Sequence, residues 1–208
     1  MTNKINESII CEYLNELFPN AHCELNYTTI FQLLIAVTLS AQTTDAAVNL
    51  VTPNLFNKYP TPFELANANI EDVEQLIKRI GLYKNKAKNI VAASKILVEK
   101  YNGEIPKSME KLVELPGVGR KTASVVLVEG FKIPAFPVDT HVERVCKRLK
   151  IAKPNDDVLT VEKKVCRLIK KENWGLVHHQ FIFFGRYFCT ARSPKCDQCK
   201  IKDFCSMK

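Results

Sequence analysis

The chain has 208 residues, 46% of them hydrophobic and 25% charged, which is the composition of a globular protein with a substantial core. Thirty Lys and Arg against 22 Asp and Glu leave a net charge of +8, suited to nucleic acid, an acidic partner or an anionic surface, and deciding among none of them. The opening segment carries Glu7, Glu12 and Glu16 among its apolar residues and does not read as a secretion leader, and no apolar run reaches membrane-spanning length. A reducing, cytoplasmic setting without membrane attachment is therefore expected.

The periodicity is helical nearly throughout. Ile5, Ile9, Ile10, Tyr13, Leu14, Leu17 and Phe18 recur at three- and four-residue spacing and define one apolar helix face. Thr61-Pro62-Phe63-Glu64 predicts a helix start, with Thr61 as N-cap and Glu64 capping back. Another start is predicted at Asn69, for a helix running to Gly81, where glycine suits a left-handed C-cap. Helix resumes from Lys84 to Tyr101, with Ile90, Ala93, Leu97 and Val98 facing inward, and no alternating strand pattern persists. The fold class is all-α with short connections.

Ser108 to Leu115 predicts a short helix, followed by Leu115-Pro116-Gly117-Val118-Gly119-Arg120-Lys121 and then an apolar helix through Ala123, Val125, Val126 and Leu127. Two glycines between helices allow close approach to another surface, and the N–H groups of the second helix form a phosphate site with Arg120 beside them. Such a turn grips a backbone without reading sequence. It lacks the terminal Gly-Lys-Ser/Thr of a nucleotide-binding loop. Lys121, in the first turn of that helix, is poorly placed for stability, since the dipole there opposes a cation. The same field favours the uncharged amine of a nucleophile; a solvated lysine on a basic turn is the plainer account.

Val138-Asp139-Thr140-His141 opens another helix, with Asp139 as the expected N-cap. Capping alone accounts for Asp139, yet a carboxylate held ionised by backbone donors also suits it to stabilising a cation or activating a nucleophile. His141 is either a phosphate contact or a hydrogen-bonded buried ring. His178 and His179, beside Trp174 and Phe181, read as packing.

Four of the eight cysteines crowd the end of the chain as Cys189-x6-Cys196-x2-Cys199-x5-Cys205. Four soft ligands this close enclose either a tetrahedral zinc or an iron–sulfur cluster. A single close pair flanked by wider gaps favours the cluster over the paired knuckles usual for zinc. Cys11, Cys23, Cys146 and Cys166 lie in apolar helical contexts and read as core.

Hairpin, downstream aspartate and terminal cysteines together resemble the helix-hairpin-helix DNA glycosylases of the endonuclease III type, over nearly the whole chain. Leu33-Leu34-Ile35-Ala36-Val37, Leu39-Ser40-Ala41-Gln42 and Ile80-Gly81-Leu82-Tyr83 carry the likeness, as do the Leu115–Ala123 and Val138–His141 segments and the cysteine spacing. The resemblance implies a [4Fe–4S] cluster on Cys189, Cys196, Cys199 and Cys205. It also implies a six-helix lobe over residues 23–133, a second lobe from residues 1–22 plus 134–208, and an active site between them.

The resemblance further implies a bifunctional glycosylase and lyase that acts on double-stranded DNA carrying damaged pyrimidines or abasic sites, as a monomer associated with the nucleoid. Lys121 attacks the sugar and Asp139 stabilises the developing cation. Gln42 fills the space of the flipped nucleotide and Leu82 wedges beside it. From the residues alone, Gln42 is equally a capping amide and Leu82 equally a core leucine. Gly117, Gly119, Arg120 and His141 are expected at the phosphates, with Arg192 and Lys195 of the cluster loop. One segment departs from the family pattern: Glu129-Gly130-Phe131-Lys132 stands where a small residue and a glycine are common. An adenine-removing mismatch glycosylase generally lacks the hairpin lysine, a passive DNA-binding module would use the hairpin and a zinc knuckle only to hold duplex, and a purely structural iron–sulfur protein leaves Lys121 unexplained.

Overall fold

The computed structural model describes residues 5–207, and among them every regular element is helical. Backbone contacts separate two compact units, one formed by Glu24–Ile133 and the other by Met1–Cys23 with Pro134–Lys208.

Helix α1 spans Glu7–Leu17, capped by Asn6, and buries Ile10, Tyr13 and Leu14. The central unit then begins with α2, Ile30–Leu39, in which Phe31 and every residue from Leu33 to Leu39 are buried. A helix apolar on all sides belongs at the centre of its unit. The other helices of this unit are α3 (Asp45–Lys58), α4 (Pro62–Ala66), α5 (Ile70–Ile77), α6 (Tyr83–Tyr101), α7 (Met109–Val113) and α8 (Arg120–Val125). Helix α2 packs on α3, α6 and α8, while α6 runs along α4 and α5.

The predicted caps are present. The Thr61 hydroxyl accepts from the Phe63 N–H, and Glu64 accepts from the Thr61 N–H at 3.0 Å and from its hydroxyl. Asn69 accepts from the Glu71 N–H at 2.8 Å, and Ser108 from the Lys111 N–H at 3.3 Å. Two predictions need correction. Helix α5 stops at Ile77, and the left-handed residue of the connection is Leu82, at φ 58°, while Gly81 does not take a positive φ. The apolar helix after the hairpin is α-helical only to Val125; Val126–Gly130 widens into a π-turn. It ends with Lys132 at φ 55° and the Ile133 N–H donating back to the Leu127 carbonyl at 3.0 Å, a closure in which glycine normally takes the left-handed position.

The other unit continues with α9 (Thr140–Arg148), α10 (Val158–Leu168) and α11 (Trp174–Phe183). Val142, Val145 and Cys146 of α9 join Ile10, Tyr13 and Leu14 of α1, Val161 and Val165 of α10, and Phe181 of α11 in one core with Phe136. Helix α1 is tied to the chain's end: Tyr13 Oη donates to the Gln198 carbonyl at 3.4 Å, and Lys200 pairs with Glu16 at 2.5 Å. His178 and His179 are buried, their ring centroids 3.8 Å apart. After α11 the chain passes through a π-turn at Phe184–Phe188, which delivers Cys189.

Candidate functional site

The hairpin is a tight turn with glycine at its critical position. The Val118 N–H donates to the Leu115 carbonyl at 3.0 Å, with Pro116 and Gly117 between them and Gly117 at φ 79°. Proline followed by a positive-φ glycine is the type II arrangement. A Cβ on Gly117 would lie 2.9 Å from Asn89 Cβ, so this residue is required both by conformation and by the α6 side chain packed beneath it. Leu115 and Val118 are buried and anchor the turn. Gly119, extended at φ −86° and ψ 174°, is the N-cap of α8, and the Ala123 N–H returns to its carbonyl at 2.9 Å. A helix start leaves its earliest N–H groups without acceptors from the helix itself.

Arg120 and Lys121 are exposed in this first turn, while Thr122 to Val125 are buried. The helix therefore roots itself through the residues after Lys121 and presents the lysine outward. Gln42 and Leu82 share this unit and both are exposed, Leu82 at 58%. Gln42 has φ 55° in the turn between α2 and α3, and Leu82 stands as the N-cap of α6 without a side-chain cap bond. The core reading of Leu82 is thereby removed. A left-handed leucine at an N-cap breaks two local preferences at once, the kind of strain that marks functional positions.

In the other unit, Asp139 caps α9 through one oxygen only. Oδ1 accepts from the His141 and Val142 N–H groups, each at 2.8 Å, so Oδ2 takes no part in the cap. His141 is half-buried, its Nδ1 3.4 Å from Arg144 Nη2. The ring neighbours an arginine and is not enclosed.

Cys189, Cys196, Cys199 and Cys205 line a single cavity of about 410 Å³, open mouth included. Leu149, Phe184, Phe188 and Met207 supply apolar walls; Arg148, Lys195 and Lys202 supply positive charge. Donors reach the sulfurs, among them Arg148 Nη1 to Cys189 Sγ at 3.2 Å and the Met207 N–H to Cys205 Sγ at 3.4 Å. Convergent thiols, apolar walls, sulfur-directed donors and basic residues fit an anionic iron–sulfur group. The other cysteines do not join it. Burial pushes the Cys146 thiol far up, as befits an unreactive core thiol, while Cys11 is only partly buried and burial with Glu7 and Glu12 nearby pushes its thiol up to about 11.

Sequence reasoning missed the residues that hold this segment. Arg148 also donates to the carbonyls of Cys189 at 3.2 Å, Thr190 at 2.7 Å and Ala191 at 3.1 Å. Arg144 donates to those of Gly185 at 2.6 Å and Cys189 at 3.2 Å. Burial lowers the Arg144 pKa from its ordinary value, with Arg148 adding to the effect. Their four-residue spacing on α9 was the available signal. Arg192 and Lys195 are exposed, Lys195 Nζ lying 5.9 Å from the Phe188 ring centre.

Residues 35–171 match the model of the HhH-GPD superfamily of base excision DNA repair proteins. Endonuclease III of Bacillus subtilis is 52% identical over 92% of this chain and 88% of its own length. The chain belongs to the endonuclease III family. Residues 189–205 match the iron–sulfur binding domain of endonuclease III, the segment whose cysteines converge on the cavity. Endonuclease III of Escherichia coli is 45% identical over 99% of this chain and 97% of its own. A solved structure of a trapped endonuclease III–DNA covalent intermediate superposes with a TM-score of 0.92 and 51% identity, covering 96% of this chain and 93% of that one. The chain is a base excision repair DNA glycosylase with the lyase activity of endonuclease III.

Proposed function

We propose that this endonuclease III family member excises oxidised pyrimidines from duplex DNA and then cuts the strand, with Lys121 as nucleophile. The observation that carries the reading is Lys121 itself, exposed in the first turn of α8 immediately after the glycine hairpin. The amine lone pair attacks the sugar C1′, the C1′–N bond breaks, and the base leaves with a proton. The nitrogen lone pair then expels O4′, which takes a proton as the sugar ring opens. The resulting iminium acidifies the C2′ hydrogens, removal of one drives β-elimination, and the 3′ phosphate departs. That a relative has been described as a covalent intermediate with DNA supports an amine nucleophile. Asp139 carries the countercharge for the developing sugar cation on Oδ2, the oxygen its cap bonds leave over.

The lesion is taken out of the duplex, with Gln42 in the vacated space and Leu82 as the wedge. Their exposure and left-handed backbone support this role. Gly117, Gly119 and Arg120 grip phosphates at the hairpin; His141, Arg192 and Lys195 meet them from their own unit. The four cysteines hold a [4Fe–4S] cluster, which supplies no chemistry to the sugar and organises the loop carrying Arg192 and Lys195. The enzyme acts as a monomer at the nucleoid in the cytoplasm; no described helix is long and apolar enough to cross a membrane.

The test is borohydride reduction during turnover on duplex DNA carrying an oxidised pyrimidine. Wild-type enzyme is expected to become covalently attached through Lys121. Lys121→Gln should neither trap nor cut, while still binding an abasic-site analogue, because the backbone donors of the hairpin survive. An adduct mapped to any other residue would falsify the assignment.

A further inference from the structure

Among the described residues, Lys86 is the one lysine, arginine, aspartate or glutamate that is buried, at 5% exposure. A lysine on a helix normally lays its methylenes along the surface and lifts its ammonium into water. The Lys86 ammonium instead donates to Thr43 Oγ1 at 2.7 Å, in a part-buried position within the central unit. No carboxylate pairs with it; burial alone lowers its pKa below the ordinary lysine value. A part-buried ammonium held only by a hydroxyl is partly desolvated without a countercharge, and methionine would fill a similar volume without desolvating a charge. The charge is therefore not explained by folding.

Its two ends explain it better. The side chain reaches the turn between α2 and α3, next to Gln42, where the Thr43 N–H donates to the Ser40 carbonyl at 3.0 Å. The backbone N–H of Lys86 donates to the Leu82 carbonyl at 3.0 Å, the first bond of α6. One residue thus ties together two turns that are distant in sequence, each presenting an exposed residue in left-handed conformation, Gln42 at φ 55° and Leu82 at φ 58°.

We propose that Lys86 is a positioning residue that fixes the spacing of Gln42 and Leu82 before DNA arrives, so that the two enter the duplex as one preset pair. This rests on the reading of Gln42 and Leu82 as the inserted residues. Presetting removes an ordering cost from the binding step, because neither turn has to be immobilised against the DNA.

The experiment compares Lys86→Met, Thr43→Val, Gln42→Ala, Leu82→Ala and the Lys86→Met/Gln42→Ala pair. Four quantities are read: thermal midpoint, affinity for undamaged duplex, hydrogen exchange at the Thr43 amide, and the fluorescence of 2-aminopurine placed opposite a stable abasic analogue in duplex DNA. Lys86→Met should melt at or above the wild-type temperature, exchange Thr43 roughly tenfold faster, and lose roughly tenfold in extrusion of the target. Affinity for undamaged duplex should not change, Thr43→Val should show the same losses in weaker form, and the double variant should lose no more than Gln42→Ala alone. Unchanged Thr43 exchange in Lys86→Met overturns the proposal, as does an extrusion loss that adds in full to that of Gln42→Ala. Normal extrusion by both Gln42→Ala and Leu82→Ala would sink the insertion reading and the DNA half of the proposal with it; Thr43 exchange reports on Lys86 separately.

Discussion

Replacing Arg148 with methionine isolates what the arginine does for the iron–sulfur segment, because the apolar stem is kept and the guanidinium removed. Four bonds are lost, to Cys189 Sγ and to the carbonyls of Cys189, Thr190 and Ala191. They do not count equally. The Cys189 carbonyl keeps Arg144, and Ala191 is exposed, so water replaces the guanidinium there. The part-buried Thr190 carbonyl, held at 2.7 Å, loses its donor, which costs about 1–3 kcal/mol. The charge-assisted bond to the sulfur adds about 1–2 kcal/mol when a cluster is bound. Together these predict a loss of about 2–5 kcal/mol, or a shift of several degrees for a chain of this size. The assay is iron per protein and visible absorbance of purified holoprotein during slow heating. Arg148→Met should bleach at lower temperature, and its cluster should have a more negative reduction potential, since a positive charge near the sulfur has been withdrawn. A variant that keeps its full iron complement and wild-type bleaching temperature would refute the assignment of Arg148 to this segment.

Asp139→Asn should fold with a penalty below about 1 kcal/mol, because an amide oxygen can accept both cap bonds now made by Oδ1. Base excision in single-turnover kinetics should nevertheless fall about a hundredfold or more, and near-normal excision would reduce Asp139 to a cap. Lys132→Gly should be neutral or stabilise by up to about 1 kcal/mol in urea unfolding, relief of the left-handed backbone outweighing glycine's entropy; a clear destabilisation would assign the lysine side chain a packing role. Cys11 has a folded pKa of about 11 against 9.0 for an ordinary thiol, so its contribution to stability is present below pH 9 and is lost as pH rises through 11. Half-exposure limits that contribution to about 1 kcal/mol. Cys11→Val should flatten the alkaline stability profile by that amount, and an unchanged profile would contradict it.

The helices and their starts were legible because the caps are local chemistry: Thr61 with Glu64, Asn69, Ser108 and Asp139 act within three or four residues of themselves. Hairpin and cysteine tail were legible for the same reason, each being a contiguous pattern. Gly81 misled because glycine permits a left-handed backbone without requiring it, and the strained position fell one residue later, on Leu82. The π-turns at Val126–Gly130 and Phe184–Phe188 carry no pattern distinct from an ordinary apolar helix. Arg148 and Lys86 escaped because their partners lie about forty residues away, at Cys189 and Thr43. Nothing in a lysine's own neighbourhood announces that its ammonium will be enclosed.

The unit that holds the cysteines is assembled from both ends of the chain, whereas Glu24–Ile133 is contiguous. During synthesis the contiguous part can complete its contacts while the remainder is still being made. Helix α1 cannot. Ile10, Tyr13 and Leu14 find their core only with Val142, Phe181 and Ile201, and Glu16 finds Lys200 at the very end. Helix α1 is made before the contiguous unit yet finds its core only once α9, α11 and Ile201 exist, so its apolar stripe stays uncovered while the intervening residues are made. Loss of the segment that carries Gln198, Lys200 and Ile201 would leave that stripe partly bare.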